Sequence, residues 1–236
     1  MKRFYSEHIQ DAILFLEKEE ALHCTKVLRC KEGDKVEVLN GQGKLYEGII
    51  SAISKQEVQI SISGILKAAA ENTNKLSIAI ALTKNPARLE WFIEKATEIG
   101  IAHIFPIVTE RTEKQSIKLE RLQHICISAA KQSGQLFFPI VHDLKPLQAA
   151  YAGFEALKFS HYYISHCEDE RKPLKDVYTK NETALLLIGP EGDFTKAEIQ
   201  TALNNNYIPV SLGNSILRVE TAGVVACSIL KMINDN

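Results

Sequence analysis

No run of apolar residues in this chain approaches the ~20 that a membrane-crossing helix requires, and the opening stretch MKRFYSEHIQ has no apolar signal core. There is no excess charge of one sign: 28 Lys and Arg stand against 29 Asp and Glu, a formal net charge of -1. A nucleic-acid partner would therefore have to be met by a local patch and not by the bulk charge. The five cysteines, Cys24, Cys30, Cys126, Cys167 and Cys227, are odd in number and contain no C-x-x-C, which argues against a disulfide framework and a zinc site alike. No His, Asp or Glu cluster has metal-ligand spacing, so no metal is expected. Internal repeats and low-complexity tracts are also missing. These absences point to a cytoplasmic globular protein with reduced thiols. Its 236 residues, 45% hydrophobic, suffice for one large domain or two smaller ones.

Two textures follow one another along the chain. The first third reads as all-β. KVEVLN (35–40) alternates valine with charged residues, and GKLYEGIISAI and EVQISIS are further strands. Asn40-Gly41 suits a hairpin turn, because both residues tolerate positive φ. LKAAAENTN (66–74) reads as a linker. Beyond it, strands and helices alternate. LSIAIAL (76–82) is a buried strand. Asn85-Pro86 starts a helix carrying Leu89, Phe92, Ile93, Ala96 and Ile99 on one face, with Gly100 at its end. HIFPIV, a helix over roughly 117–133, FSHYYIS and ALLLIG come next. Thr195 and Glu198 form a capping box, then YIPVSLG and a closing amphipathic helix, VETAGVVACSILKMI, complete the chain. This order predicts a mostly parallel sheet covered by helices.

In such a sheet, ligands sit beyond the carboxyl ends of the strands. Two glycine loops occupy that position, Gly189–Gly192 and SLGNSILR (211–218). Neither has the spacing of a phosphate loop, a dinucleotide fingerprint or a nucleophile elbow. Glu191 and Asp193 would repel a phosphate at the helix start. The loop chemistry suits a polar, partly cationic ligand read through backbone N–H and C=O groups.

IGPEGDFTKAEI, with SLGNSILRVETA about twenty residues on, resembles the C-terminal signature of the SPOUT class of RNA methyltransferases. Within that class the chain resembles the RsmE family of 16S rRNA uridine-N3 methyltransferases. HCTKVLRCKEGDKVEVLNGQG, KNPARLEWFIEKATEIGIAHIFPIVTERT and KLERLQHICISAAKQSG match further family segments in the same order. The resemblance implies a PUA-like RNA-binding β-barrel over 1–68 and an α/β SPOUT methyltransferase domain over 73–236, its C-terminal part threaded as a trefoil knot. It implies S-adenosylmethionine as cofactor, 16S rRNA of the small ribosomal subunit as substrate, a homodimer with a composite site, and no membrane. The implied cofactor residues are Leu187, Ile188, Gly189 and Gly192 in the first loop, Ser211, Leu212, Gly213, Ile216, Leu217 and Arg218 in the second, and Thr221 and Ala222 beyond. Lys26, Arg29, Lys31, Lys35 and Gln132 are the RNA-contact candidates.

A uridine N3–H is a weak acid, so its methylation calls for preorganised charge and a general base. Arg218 and Arg111 are candidates to stabilise developing charge, and Glu220 and Glu191 are candidate bases or organisers of those arginines. An Arg218–Glu220 ion pair is the competing structural role. Lys95 and Arg88 read as solvated charges, His103 as structural and Trp91 as core. The chain departs from the commoner family pattern at Asp193 (for glycine), Ser215 (for arginine), Val219 (for threonine) and Gln135 (for a basic residue). An RNA-binding or assembly factor on the same fold, or a methyltransferase acting on another rRNA nucleotide, is the alternative function.

Overall fold

The computed structural model describes residues 2–54, 56–113, 116–168 and 171–235. It divides into two compact units, one of residues 1–72 with 127–138, the other of 73–126 with 139–236.

The first unit is a six-stranded sheet built from β1 (Lys2–Tyr5), β2 (Ile9–Gln10), β3 (Ile13–Glu17), β4 (Lys35–Leu39), β5 (Lys44–Ile53) and β6 (Glu57–Ala68). Its order is β1-β4-β5-β6-β3-β2, with β1 parallel to β4 and the other pairs antiparallel. Alternation places Val36 and Val38 of β4, Leu14 and Leu16 of β3, and Val58 and Ile60 of β6 in one core with Phe4. The β4–β5 turn is closed by the Asn40 side chain, whose Oδ1 accepts from the main-chain N–H of Gln42 and Lys44.

Two sequence expectations change here. The first third is not all-β, because α1 (Lys18–Leu22) runs into a π-helical turn at His23–Val27. Its helical periodicity is carried only by buried Ala21 and Cys24 amid charged residues. The linker is also shorter than 66–74. Residues 66–68 belong to β6, where Lys67 and Ala68 pair with Leu45 and Lys44 at the start of β5. Strand partnership extends the strand past the point where side-chain alternation fades.

The second unit contains β7 (Leu76–Ala81), α2 (Pro86–Ile99), β8 (His103–Val108), α3 (Leu119–Ser133), β9 (Ile140–Val141), β10 (Lys145–Pro146), α4 (Leu147–Leu157), β11 (His161–Ser165), β12 (Lys172–Pro173), α5 (Leu174–Val177), β13 (Ala184–Ile188), α6 (Lys196–Asn204), β14 (Ile208–Ser211) and α7 (Val219–Asp235). The last residues of α3 count with the first unit. The sheet order is β10-β8-β7-β13-β11-β14-β12, with β9 beside β8, and every pair is parallel.

Both faces of this sheet are covered, so its central strands are continuous apolar runs. Leu76, Ile78 and Ile80 of β7 face a core shared with α2, α3 and α7, while Ala79 and Ala81 face one shared with α4 and α6. Asn85 caps α2 by accepting from the Ala87 N–H, with Pro86 at the first helical position. Leu89, Phe92, Ile93 and Ala96 are its buried stripe, each large side chain contributing roughly 1.5–3 kcal/mol. α7 crosses α2 at Gly223, where an added Cβ would lie 2.3 Å from the Phe92 ring. Trp91, on the same helix, is 43% exposed and is not a core residue: it falls off the stripe that Leu89, Phe92 and Ile93 define.

Candidate ligand-binding cleft

A cleft of about 560 Å³ opens at the carboxyl ends of β11, β13 and β14. That is where a parallel sheet offers a ligand site, and the volume suits a cofactor-sized molecule. Three loops form it: His166, Cys167 and Arg171 after β11, Gly189, Pro190, Glu191 and Asp193 after β13, and residues 212–218 after β14. Arg88 of α2 and Val219 and Ala222 of α7 complete the wall.

The loop after β13 is fixed by many contacts. At Gly189 a Cβ would come within 3.0 Å of Phe194 Cδ2 and 3.1 Å of the Phe194 nitrogen, so any side chain there would crowd Phe194. Asp193 has φ 62°, in the left-handed region that glycine enters freely and Asp more readily than most residues. Its side chain does further work: Oδ1 accepts from the Phe194 N–H at 2.8 Å and Oδ2 from the Cys167 N–H at 2.7 Å, which joins this loop to the one after β11. Asp193 does not cap the following helix. Thr195 does, through the capping box with Glu198 that the sequence predicts.

Arg111 approaches from the turn after β8. Its Nη1 donates to the Gly192 carbonyl at 2.6 Å. The buried Glu198 accepts from the Glu110 N–H at 2.9 Å, so the same turn is held twice. Arg111 does not line the cleft; its guanidinium supports the loop from behind.

The acidic residues pair differently from the sequence expectation. Glu191 Oε1 accepts from the Lys84 N–H at 3.0 Å and lies 3.8 Å from Arg88 Nη1. Glu220 Oε1 lies 3.8 Å from Arg88 Nε, and its Oε2 is buried with no hydrogen-bond partner among the described residues. The cation between the two carboxylates is thus Arg88, not Arg218, and Arg88 is not a solvated charge. Arg88 sits one turn into α2, at the height of both acids. Arg218 is exposed and makes no side-chain hydrogen bond or ion pair among the described residues. Lys95 is likewise engaged, with Glu94 and Glu98.

The loop after β14 is the opposite of its neighbour. Residues 213–217 make no hydrogen bond among the described residues. Gly213 has φ 136° with open space where a Cβ would stand. Leu212 and Leu217 are half-buried, and Ile216 is 87% exposed.

The cleft thus gathers Ile188, Gly189, Glu191, Leu212, Gly213, Ile216, Leu217, Arg218 and Ala222 from the sequence candidates. Leu187, Gly192, Ser211, Glu220 and Thr221 stand beside or behind it. Sequence reasoning missed Arg88, His166, Cys167 and Arg171. The one sequence signal for the last three is their position just after the strand FSHYYIS, at its carboxyl end. Burial pushes the His166 imidazole below its ordinary pKa, and burial with the nearby Asp193 pushes the Cys167 thiol up.

The RNA-contact candidates all fall in the first unit. Lys26 lies in the π-helical turn, Arg29 and Lys31 follow it, Lys35 opens β4, and Gln132 lies near the end of α3. All five are exposed, and none of the four cations has a carboxylate partner among the described residues. By contrast Lys2, Arg3 and Lys131 of the same unit pair with Asp34, Glu37 and Glu20. Among the described residues no group of three His, Cys, Asp or Glu could hold a metal, and no helix is long and apolar enough to cross a membrane.

Residues 70–231 match the model of an RNA methyltransferase domain, and residues 16–63 that of an RNA methyltransferase PUA domain. The chain is 32% identical to a ribosomal RNA small subunit methyltransferase E of Synechocystis, over 93% of this chain and 73% of that one. Its fold is similar to the crystal structure of a probable rRNA-methyltransferase from Porphyromonas gingivalis, with a TM-score of 0.88 and 35% identity, covering 100% of this chain and 99% of the other. It is also similar to a putative methyltransferase from Legionella pneumophila solved with the bound cofactor SAM, with a TM-score of 0.86 and 28% identity over 98% and 97% of the two chains.

Proposed function

The chain belongs to the family of ribosomal RNA small subunit methyltransferases E, and from that premise we propose that it methylates N3 of a uridine in 16S rRNA, using S-adenosylmethionine. The observation that carries this reading is the meeting of both motif loops in one cleft after β13 and β14. The residues present fit the cofactor. Ile188, Leu212 and Leu217 offer apolar surface to a planar base, and Glu191 and Asp193 favour a cationic centre. His166 has a buried ring nitrogen with no partner in the cleft wall. When bound, S-adenosylmethionine supplies an electrophilic methyl group on a sulfonium.

The uridine must lose its N3 proton before or during the transfer. Glu191 lines the cleft and is the better placed acceptor for that proton; Glu220, set behind, orients Arg88. Arg218, exposed and unpaired at the rim, is the cation free to face the uracil as it becomes anionic. Arg111 holds the first loop through the Gly192 carbonyl and acts at a distance. Lys26, Arg29, Lys31 and Lys35 contact RNA phosphates from the PUA-like domain, with Gln132 beside them, so affinity falls as salt rises.

The remaining features follow the family. The chain acts in the cytoplasm as a homodimer whose partner completes the site, and its C-terminal segment is threaded as a trefoil knot. The N-terminal PUA-like unit binds RNA and the SPOUT unit carries the chemistry. Mapping 16S rRNA from cells lacking the protein tests the assignment. One N3-methyluridine should vanish and return on complementation; an unchanged methylation pattern overturns it. Arg218→Ala should lower kcat by roughly 10²-fold with the cofactor Kd little changed, and normal turnover by a folded Arg218→Ala protein removes Arg218 from the mechanism.

A further inference from the structure

His166, the first residue beyond β11, is 4% exposed although it belongs to the cleft wall. Its Nδ1 accepts the Glu168 main-chain N–H at 3.2 Å. A ring nitrogen that accepts a hydrogen bond carries no proton, so in the neutral ring the proton resides on Nε2. Nε2 is buried and has no hydrogen-bond partner among the described residues. Leaving a donor in that state costs about 1–3 kcal/mol.

The residue is also held in place from three directions. Arg171 Nη1 donates to the His166 carbonyl at 2.6 Å. The next residue, Cys167, gives its N–H to Asp193 of the opposing loop. Tyr163, three residues earlier on β11, is fully buried. A ring whose tautomer and backbone are both fixed, and whose remaining donor is unpaired, is organised for an acceptor that the protein does not itself supply.

We propose that His166 Nε2–H donates a hydrogen bond to an uncharged acceptor, a ribose hydroxyl or an adenine nitrogen, on the nucleoside part of the molecule that fills the cleft. This rests on the S-adenosylmethionine reading above. An uncharged acceptor suits the site. Arg88, Arg171 and Arg218 line the same cleft, so cations for an anionic group are supplied elsewhere in the wall, and a neutral imidazole adds no positive charge near a sulfonium.

Calorimetric titration of wild type, His166→Phe and His166→Gln with S-adenosylmethionine and with 5′-methylthioadenosine tests this without any turnover. Phenylalanine keeps the ring and removes the donor, and glutamine keeps a donor at the same reach. His166→Phe should bind both ligands about 10-fold more weakly, the loss of one good hydrogen bond, and His166→Gln should recover most of it. The Tm of His166→Phe should stay close to that of wild type, because losing the acceptor of the Glu168 N–H offsets the removal of an unsatisfied buried donor. Equal affinity in all three proteins overturns the inference. A loss seen with S-adenosylmethionine but not with 5′-methylthioadenosine also overturns it, since the contact then lies on the amino-acid end. If His166→Phe does not fold, His166→Gln decides: binding both ligands within about twofold of wild type supports the donor role, and a large loss of both overturns it. Failure of the wild type to bind either ligand removes the cofactor reading instead, and is told apart because no substitution is involved.

Discussion

The two loops that carry the motifs are built to opposite specifications. The loop after β13 is short and tied down: Arg111 donates to its Gly192 carbonyl, the Lys84 N–H donates to its Glu191, and Asp193 accepts from Phe194 of its own loop and from Cys167 of the loop after β11. The loop after β14 makes no hydrogen bond over 213–217 and holds Ile216 out in solvent. One wall of the cleft is complete before any ligand arrives. The other makes no hydrogen bond of its own over 213–217 among the described residues. The division suits a cofactor site, because a rigid wall sets orientation at no ordering cost and a loose one lets the molecule in.

That contrast can be broken most strongly at Asp193. Asp193→Ala loses two acceptor contacts and places alanine at φ 62°, and should cost roughly 3 kcal/mol. For a chain of this size that is a Tm lower by about 6–12 °C. Asp193→Gly should recover the backbone share of the loss and not the rest. Gly189→Ala comes next. Its methyl group would meet Phe194 at 3.0 Å, and overpacking of this kind should cost about 1–3 kcal/mol in stability while weakening the cofactor. Differential scanning fluorimetry with and without S-adenosylmethionine reads both.

The loose wall should respond less. Gly213→Ala meets no atom, so only the strain of φ 136° remains, about 1 kcal/mol. Ile216→Ser should leave Tm within about 1 °C, since the side chain is already in water. It should still raise the cofactor Kd by roughly fivefold, because apolar contact made only in the complex is lost. Equal stability losses from Asp193→Ala and Ile216→Ser would show that the two walls do not differ as described. Hydrogen exchange sharpens the same comparison: amides of 213–217 should exchange quickly in the free protein and slow on cofactor addition, while those of 189–194 change little.

How much of this was legible in the sequence differs between the same two loops. The capping box at Thr195 and Glu198, the Asn85-Pro86 helix start and the apolar runs of β7 and β13 are local signals, and each corresponds to an element observed. The two motif loops were legible by position alone. The pairing of Glu191 and Glu220 with Arg88 was not, because it joins residues more than a hundred positions apart, from α2, α7 and the loop after β13. Nor was His166, whose role depends on an atom left unpaired and not on its neighbours in sequence. The two-residue strands β9, β10 and β12 carry too few side chains to show a period.

Helix α3 has a consequence for how this chain can be taken apart. Its sequence starts in one unit and finishes in the other, and residues 127–138 belong with a unit whose remaining residues end at 72. A gene fragment ending near residue 72 would therefore encode an incomplete object. It would lack Phe137 and Phe138, whose rings lie 2.7 Å and 3.2 Å from where side chains at Gly43 and Gly41 would begin. Neither half is a cassette that recombination could pass intact to another protein in a single exchange. The two units must be inherited, expressed and altered together.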